Sequence, residues 1–121
     1  MTDAACAENA VRRYYGLVDA GDIDGLVALF DEQAVYRRPG YPPLNGHEAL
    51  RAFYRSRRVI AEGRHTVVQV LVHDRTAAVR GSFRGVLKDG GHCSVRFADF
   101  FLLSERHRFL ERETYFFQPS I

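Results

Sequence analysis

The hydrophobic period of this chain changes once, near His65, and that change limits the folds open to it. Before it, apolar residues recur every three or four positions; after it they alternate, in runs separated by polar or glycine-rich turns. Ala7, Val11, Tyr14 and Val18 form one stripe of a helix running from about 4 to 20, with Thr2 or Asp3 as its N-cap and Gly21 as its stop. Asp22 caps a short second helix whose apolar face is Ile23, Leu26, Val27 and Phe30. Ala34-Val35-Tyr36 makes a short strand at most. The stretch from Arg37 to Leu44 holds three prolines and a glycine and reads as a rigid loop. Asn45 and Glu48 have the spacing of a capping box and open a third helix, through Leu50, Phe53 and Tyr54 to Ile60, with Gly63 as its end.

The second half predicts strands over 67–72, 76–87, 92–103 and 108–117, joined by turns at 73–75, 88–91 and 104–107. Three helices followed by an antiparallel meander is an α+β layout, with the helices gathered on one side of a curved sheet. The strand ending at Leu103 is apolar on both faces: Phe97, Phe101 and Leu103 on one, Phe100 and Leu102 on the other. One face packs on the helices, and the other is expected to meet a second copy of the chain in a homodimer. Asp99 stands in the middle of this run. If its face is buried, the carboxylate has to be paired, hydrogen-bonded or kept protonated.

The 121 residues fit a single domain, 1–121, with 46% hydrophobic and 26% charged residues and a net charge of +2. That charge is too small and too scattered to suggest a nucleic-acid partner, and no apolar run is long enough to span a membrane. No signal segment opens the chain, and Cys6 and Cys93 have no metal-type spacing, so a cytoplasmic protein with reduced thiols is expected. His47, His65, His73, His92 and His107 are spaced to build no metal site. Sixteen of the seventeen basic residues are Arg, so any cation inside the fold is a planar fork suited to carboxylates and oxyanions.

The segment Arg13-Tyr14-Tyr15-Gly16-Leu17-Val18-Asp19-Ala20-Gly21-Asp22-Ile23, the run from Gly46 to Tyr54, and the spacing from Asp99 to the last strand resemble the ketosteroid isomerases. Those enzymes sit within the nuclear transport factor 2-like superfamily, which also holds the SnoaL-like polyketide cyclases. The resemblance spans about 10 to 117. It implies a cystatin-like, cone-shaped curved antiparallel sheet packed against three N-terminal helices, and a cofactor-independent enzyme.

Carried over by position, the resemblance makes Tyr14 the oxyanion donor, Asp99 the acid beside it and Tyr54 the supporting tyrosine. Phe116 takes the place of an aromatic residue lining the pocket; by strand alternation Arg112 and Thr114 share its face and are candidate lining residues, and Phe97 and Phe101 are further candidates. In the isomerases a second Asp, just before a proline, moves the proton. Here Arg37 or Arg38 holds that place, no acid occurs between Tyr36 and Gly46, and arginine accepts no proton near neutral pH. Asp99 therefore has two roles open to it: protonated hydrogen-bond donor, or, with a guanidinium near, the lone acid/base of SnoaL-like cyclases. His47, beside the loop, is a candidate substitute base. Arg37 or Arg38 would orient an anionic group. Arg80, Ser82, Arg84 and Val86 share one face of a strand, solvated by pattern, but the resemblance turns Ser82, Arg84 and Val86 toward the cavity, with Arg84 against the ligand. The expected function is an isomerase or cyclase acting on a small hydrophobic or weakly acidic carbonyl compound, steroid-like or polyketide-like. The rival is a small-molecule-binding member without the base.

Overall fold

The computed structural model describes residues 2–117. Helices α1 (Asp3–Ala20) and α2 (Ile23–Ala28) lead into strand β1 (Phe30–Arg37), a short β2 (Leu44–Asn45) and helix α3 (Gly46–Ala52). A single π-helical turn, Phe53–Arg57, extends α3, and four long strands follow: β3 (Ile60–His73), β4 (Thr76–Leu87), β5 (His92–Leu103) and β6 (Phe109–Phe116). The strands form one curved sheet in the order β2-β1-β6-β5-β4-β3, with the helices packed on it. This is the expected α+β architecture.

Local chemistry sets the helix ends. Thr2 Oγ1 accepts from the Ala5 N–H at 3.1 Å, and Gly21, at φ +73°, turns its N–H back to the Leu17 and Val18 carbonyls. Asp22 caps α2 by accepting from the Gly25 N–H at 2.9 Å. The buried face of α1 is wider than the predicted stripe, because Tyr15 joins Ala7, Val11, Tyr14 and Val18.

Three expectations are corrected. Strand β1 begins at Phe30 and runs parallel to β6, so the sheet is a meander extended by one parallel pair rather than four antiparallel strands. Asn45 makes no side-chain cap. The third helix stops at Arg57; Arg58 is extended (φ −67°, ψ 132°), and Ile60 and Gly63 belong to β3. Gly63 serves close packing: a Cβ there would collide with the Phe83 ring, which lies across the strand.

Strand β5 alternates as its sequence implies, with Phe97, Asp99, Phe101 and Leu103 buried and Phe100 and Leu102 outward. The ladder pairs Asp99 with Thr114 and Phe101 with Arg112, while β1 pairs Tyr36 with Arg112. Arg112 is thus inserted between the β5 acid and the β1 tyrosine, under the helices. Strand β4 turns Val79 and Phe83 inward and leaves Arg80 and Arg84 exposed on the outer face. Register shifts in the β3/β4 and β5/β6 pairs bend the sheet around this interior.

Candidate functional site

Asp99 has no exposed surface, and both oxygens of its side chain are engaged as acceptors. Its Oδ2 takes one from Arg112 Nη2 at 2.7 Å and another from the Tyr15 hydroxyl, and its Oδ1 takes one from Thr114. Three donors converge on this carboxyl group, which pairs with a guanidinium that is itself 5% exposed. Burial works against the Arg112 charge, but Asp99, with the Tyr14, Tyr36 and Tyr54 oxygens, overrides it and holds the proton more firmly than usual. The guanidinium also lies over the Tyr36 and Tyr14 rings, 4.4 and 4.7 Å from their centroids.

Arg112 Nη1 donates to the Tyr14 hydroxyl at 2.7 Å and to the Tyr54 hydroxyl at 3.5 Å, and these two hydroxyls bond each other. Burial raises the pKa of both, with Arg112 opposing, so both remain phenols at neutral pH. Tyr15 is likewise pushed up, by burial and then by the Asp99 charge. The Tyr14–Tyr54 pair carries two hydroxyl protons. One is spent between the two oxygens, which leaves the other for a further acceptor.

Arg112, Arg38, Arg58 and His65 line a cavity of about 30 Å³ with Phe97 and Phe116, room for about one water. Arg58 and Ile60 form its common wall with a cleft of about 290 Å³ between α1, α2 and the start of β3, on which Tyr54 and Asp19 open. Three guanidiniums border the inner space against one carboxylate behind it, so its charge suits an anion. The Nε atoms of Arg58 and Arg112 are buried without hydrogen-bond partners, and buried donors of this kind need an acceptor.

His65 is the histidine of this wall. Its Nδ1 is 2.6 Å from Asp19 Oδ1, and its backbone N–H donates to Asp19 Oδ2 at 2.8 Å. The ring packs on Phe83, Tyr15 and Phe97 at centroid distances of 4.6, 5.1 and 5.5 Å. Burial lowers its pKa below the usual 6.5 against the opposing pull of Asp19, and Arg112 and Arg58 lower it further.

The structure therefore brings together Tyr14, Tyr54, Asp99 and Arg112, with Phe97 and Phe116 on the cavity wall. Phe101 lies in the core beneath the Arg112 guanidinium, 5.7 Å from ring centroid to charge. Arg38 stands at the cavity among four rings, closest to Phe53 at 5.0 Å, and donates to the Tyr36 hydroxyl at 3.2 Å. Arg37 turns away to an exposed ion pair with Glu111 at 3.0 Å. Arg84 is on the outer face, away from this cluster. His47 bonds the Phe30 carbonyl at 2.7 Å and ties α3 to β1. The sequence reading missed Tyr15, Arg58 and the His65–Asp19 pair. A second tyrosine beside Tyr14 was the one visible signal among these. Among the described residues, no group of three metal-ligating side chains exists and no helix is long and apolar enough to cross a membrane.

Comparison with known proteins bears on the fold. The solved structure of SalBIII, described as an epoxide hydrolase/cyclase-like enzyme in pyran ring formation in the polyether salinomycin, superposes with a TM-score of 0.85 at 20% identity, covering 96% of this chain and 94% of that one. An NTF2-like protein of unknown function from Burkholderia pseudomallei K96243 gives 0.85 and 20%, over 96% and 92% of the two chains. Bal32a, from a soil-derived mobile gene cassette, gives 0.83 and 22%, over 97% and 93%. At these identities the likeness establishes the NTF2-like fold. The sequence profile of the SnoaL-like domain matches residues 11–111, and the chain belongs to that family.

Proposed function

We propose that the protein is a cofactor-independent isomerase or cyclase that stabilises the enol or enolate of a small hydrophobic carbonyl compound, steroid-like or polyketide-like. The observation that carries this reading is Arg112, a buried cation fixed by Asp99 and bonded to both Tyr14 and Tyr54 on the border of a cavity. Fixed donors and charge in a dry site favour an oxyanion over the neutral carbonyl that precedes it, because they need no reorganisation as charge develops. In this reading Asp99 acts through Arg112, and the spare proton of the Tyr14–Tyr54 pair meets the substrate oxygen. Arg58 and Arg38 attract an acidic substituent. The described ring formation by SalBIII favours the cyclase branch. The second reading, a ligand-binding protein without chemistry, rests on Arg37 and Arg38 standing where the isomerases carry their base.

The size of the space bears on the substrate. The cleft and the inner cavity together offer a few hundred cubic ångströms once the Arg58 side chain swings aside, near the lower end for small-molecule sites. The outer sheet face is proposed as a homodimer interface, because Phe100, Leu102, Tyr115 and Phe117 are exposed there together.

The test is deuterium exchange into the carbon next to the carbonyl of 2-tetralone and a panel of small cyclic ketones and keto acids, followed by proton NMR. Tyr14→Phe should slow the wild-type exchange by about 10²–10³-fold, the usual cost of one oxyanion donor. An unchanged rate in Tyr14→Phe, or no exchange by the wild type on any compound, refutes the enzymatic reading. With a 5-ene-3-ketosteroid, little or no isomerisation is expected.

A further inference from the structure

Enolate chemistry needs a base as well as an oxyanion site. Asp99 is not free to serve as one, because its oxygens are committed to Arg112, Tyr15 and Thr114 and none of its surface is exposed. The loop acid of the isomerases is replaced by arginine. His65 has what a base requires, in a place the resemblance does not point to.

We infer that His65, held by Asp19, is the general base that removes the proton from the carbon next to the substrate carbonyl. This inference rests on the enolate reading above and adds to it the identity of the proton carrier. The geometry is that of a histidine oriented by a carboxylate. Asp19 accepts from Nδ1–H at 2.6 Å, which places the lone pair on Nε2. The same carboxylate also holds the His65 backbone N–H at 2.8 Å, so it is locked to the strand it serves. With Nδ1 engaged, the nitrogen that a molecule in the cavity can reach is Nε2. Phe83 and Phe97 fix the ring plane, and Phe83 has its own position because Gly63 leaves room for its ring.

In the step, the C–H bond breaks, the proton goes to Nε2, and the bonding pair shifts to the carbonyl oxygen. That oxygen becomes an enolate facing Arg112 and the spare hydroxyl proton of the Tyr14–Tyr54 pair. Asp19 stays ionised and stabilises the imidazolium. In an isomerisation the same proton returns from Nε2 to another carbon of the conjugated system, so nothing is consumed and no redox partner is required. The groups that face His65 are Asp19 and Tyr15 from α1, Arg58 from the segment before β3, Arg112 from β6 and Arg38 across the cavity. The cations and burial disfavour the imidazolium, while Asp19 favours it. The resting ring is therefore neutral at pH 7, as a base has to be.

The experiment is the exchange reaction of the wild type, His65→Gln and Asp19→Asn on whichever panel ketone the wild type exchanges, between pH 5 and 8. His65→Gln should lose about 10²–10⁴-fold in kcat with little change in KM. The wild-type rate should fall on an acid limb below pH 6.5. In Asp19→Asn that limb should move to lower pH, since the group that favours the imidazolium is gone, and kcat should drop. A role in folding alone predicts no movement of the limb. In parallel, 15N-histidine NMR of the wild type should show His65 neutral and protonated at Nδ1 at pH 7. Retention of the rate by a folded His65→Gln, an unmoved limb in Asp19→Asn, or the opposite tautomer would overturn the inference while leaving the enolate reading in place. Failure of the wild type on the whole panel would instead remove that reading, and the base with it.

Discussion

Removing Asp99 while leaving Arg112 in place should be among the most damaging single changes available to this protein. In Asp99→Leu the guanidinium stays charged, because arginine does not release its proton, and it stays buried among Tyr14, Tyr36 and Phe101. Tyr15 and Thr114 lose their acceptor as well. Breaking a buried pair from one side costs about 3–5 kcal/mol, a third or more of the stability of a typical domain. The melting temperature should fall by roughly 10–20 °C. The exposed Arg37–Glu111 pair, with both side chains 46% accessible, is worth about 0–1 kcal/mol by contrast and serves as the internal control. The decisive comparison is a cycle with Arg112→Met. Each single variant strands one charge, whereas Asp99→Leu/Arg112→Met strands none, so the double variant should be no less stable than either single one. Urea unfolding followed by circular dichroism measures all four corners. Additive losses within about 0.5 kcal/mol, or a loss below about 1 kcal/mol in Asp99→Leu, would refute the claim that these two charges depend on each other.

Two further outcomes follow from the same geometry. Because burial lowers the His65 pKa in the folded chain, the unfolded chain binds a proton that the folded one refuses as the pH falls below about 6.5. Unfolding free energy should then decline with a slope of up to about 1.4 kcal/mol per pH unit until the lowered folded pKa is reached, and His65→Gln should flatten this part of the urea-derived profile. On the outer sheet face, Phe100→Glu/Tyr115→Glu should convert a dimer to a monomer in sedimentation equilibrium at micromolar concentration; a monomeric wild type would exclude the interface.

The features legible in the sequence are those that local chemistry decides. Thr2, Gly21 and Asp22 set helix ends with atoms a few residues away, and β4 and β5 fall on their expected bounds because Lys88-Asp89-Gly90-Gly91 can only turn. Long-range pairing decided the rest. The opening of β1, Phe30-Asp31-Glu32-Gln33, is too polar to read as a strand; Phe30 is anchored by pairing with Phe109 of β6, and the regular register resumes only at Val35. Arg51, Arg55 and Arg58 keep the spacing of an exposed helix face, yet the chain straightens at Arg58, and Gly63 is needed for the Phe83 ring rather than for a helix end. In the site, Tyr14, Tyr54 and Asp99 were reached by resemblance and Arg112 by strand alternation. That Arg112 is the partner of Asp99 was not readable, because the contact runs diagonally across β5 and β6.

That one contact reorganises the chemistry. An Asp99 bound to Arg112 is a counter-ion, so the proton-carrying role passes to another group. Among the described residues lining the cavity, His65 is the one whose ordinary pKa lies near neutrality. Its partner Asp19 is 46 positions away and sits near the end of α1, where a sequence shows only a solvated helix terminus. The loop arginines and the His65–Asp19 pair are then two sides of one arrangement. A cavity bordered by guanidiniums would hold an additional loop carboxylate in its weakly basic, ion-paired form, whereas a neutral imidazole in the same field loses its proton more readily and remains available as a base.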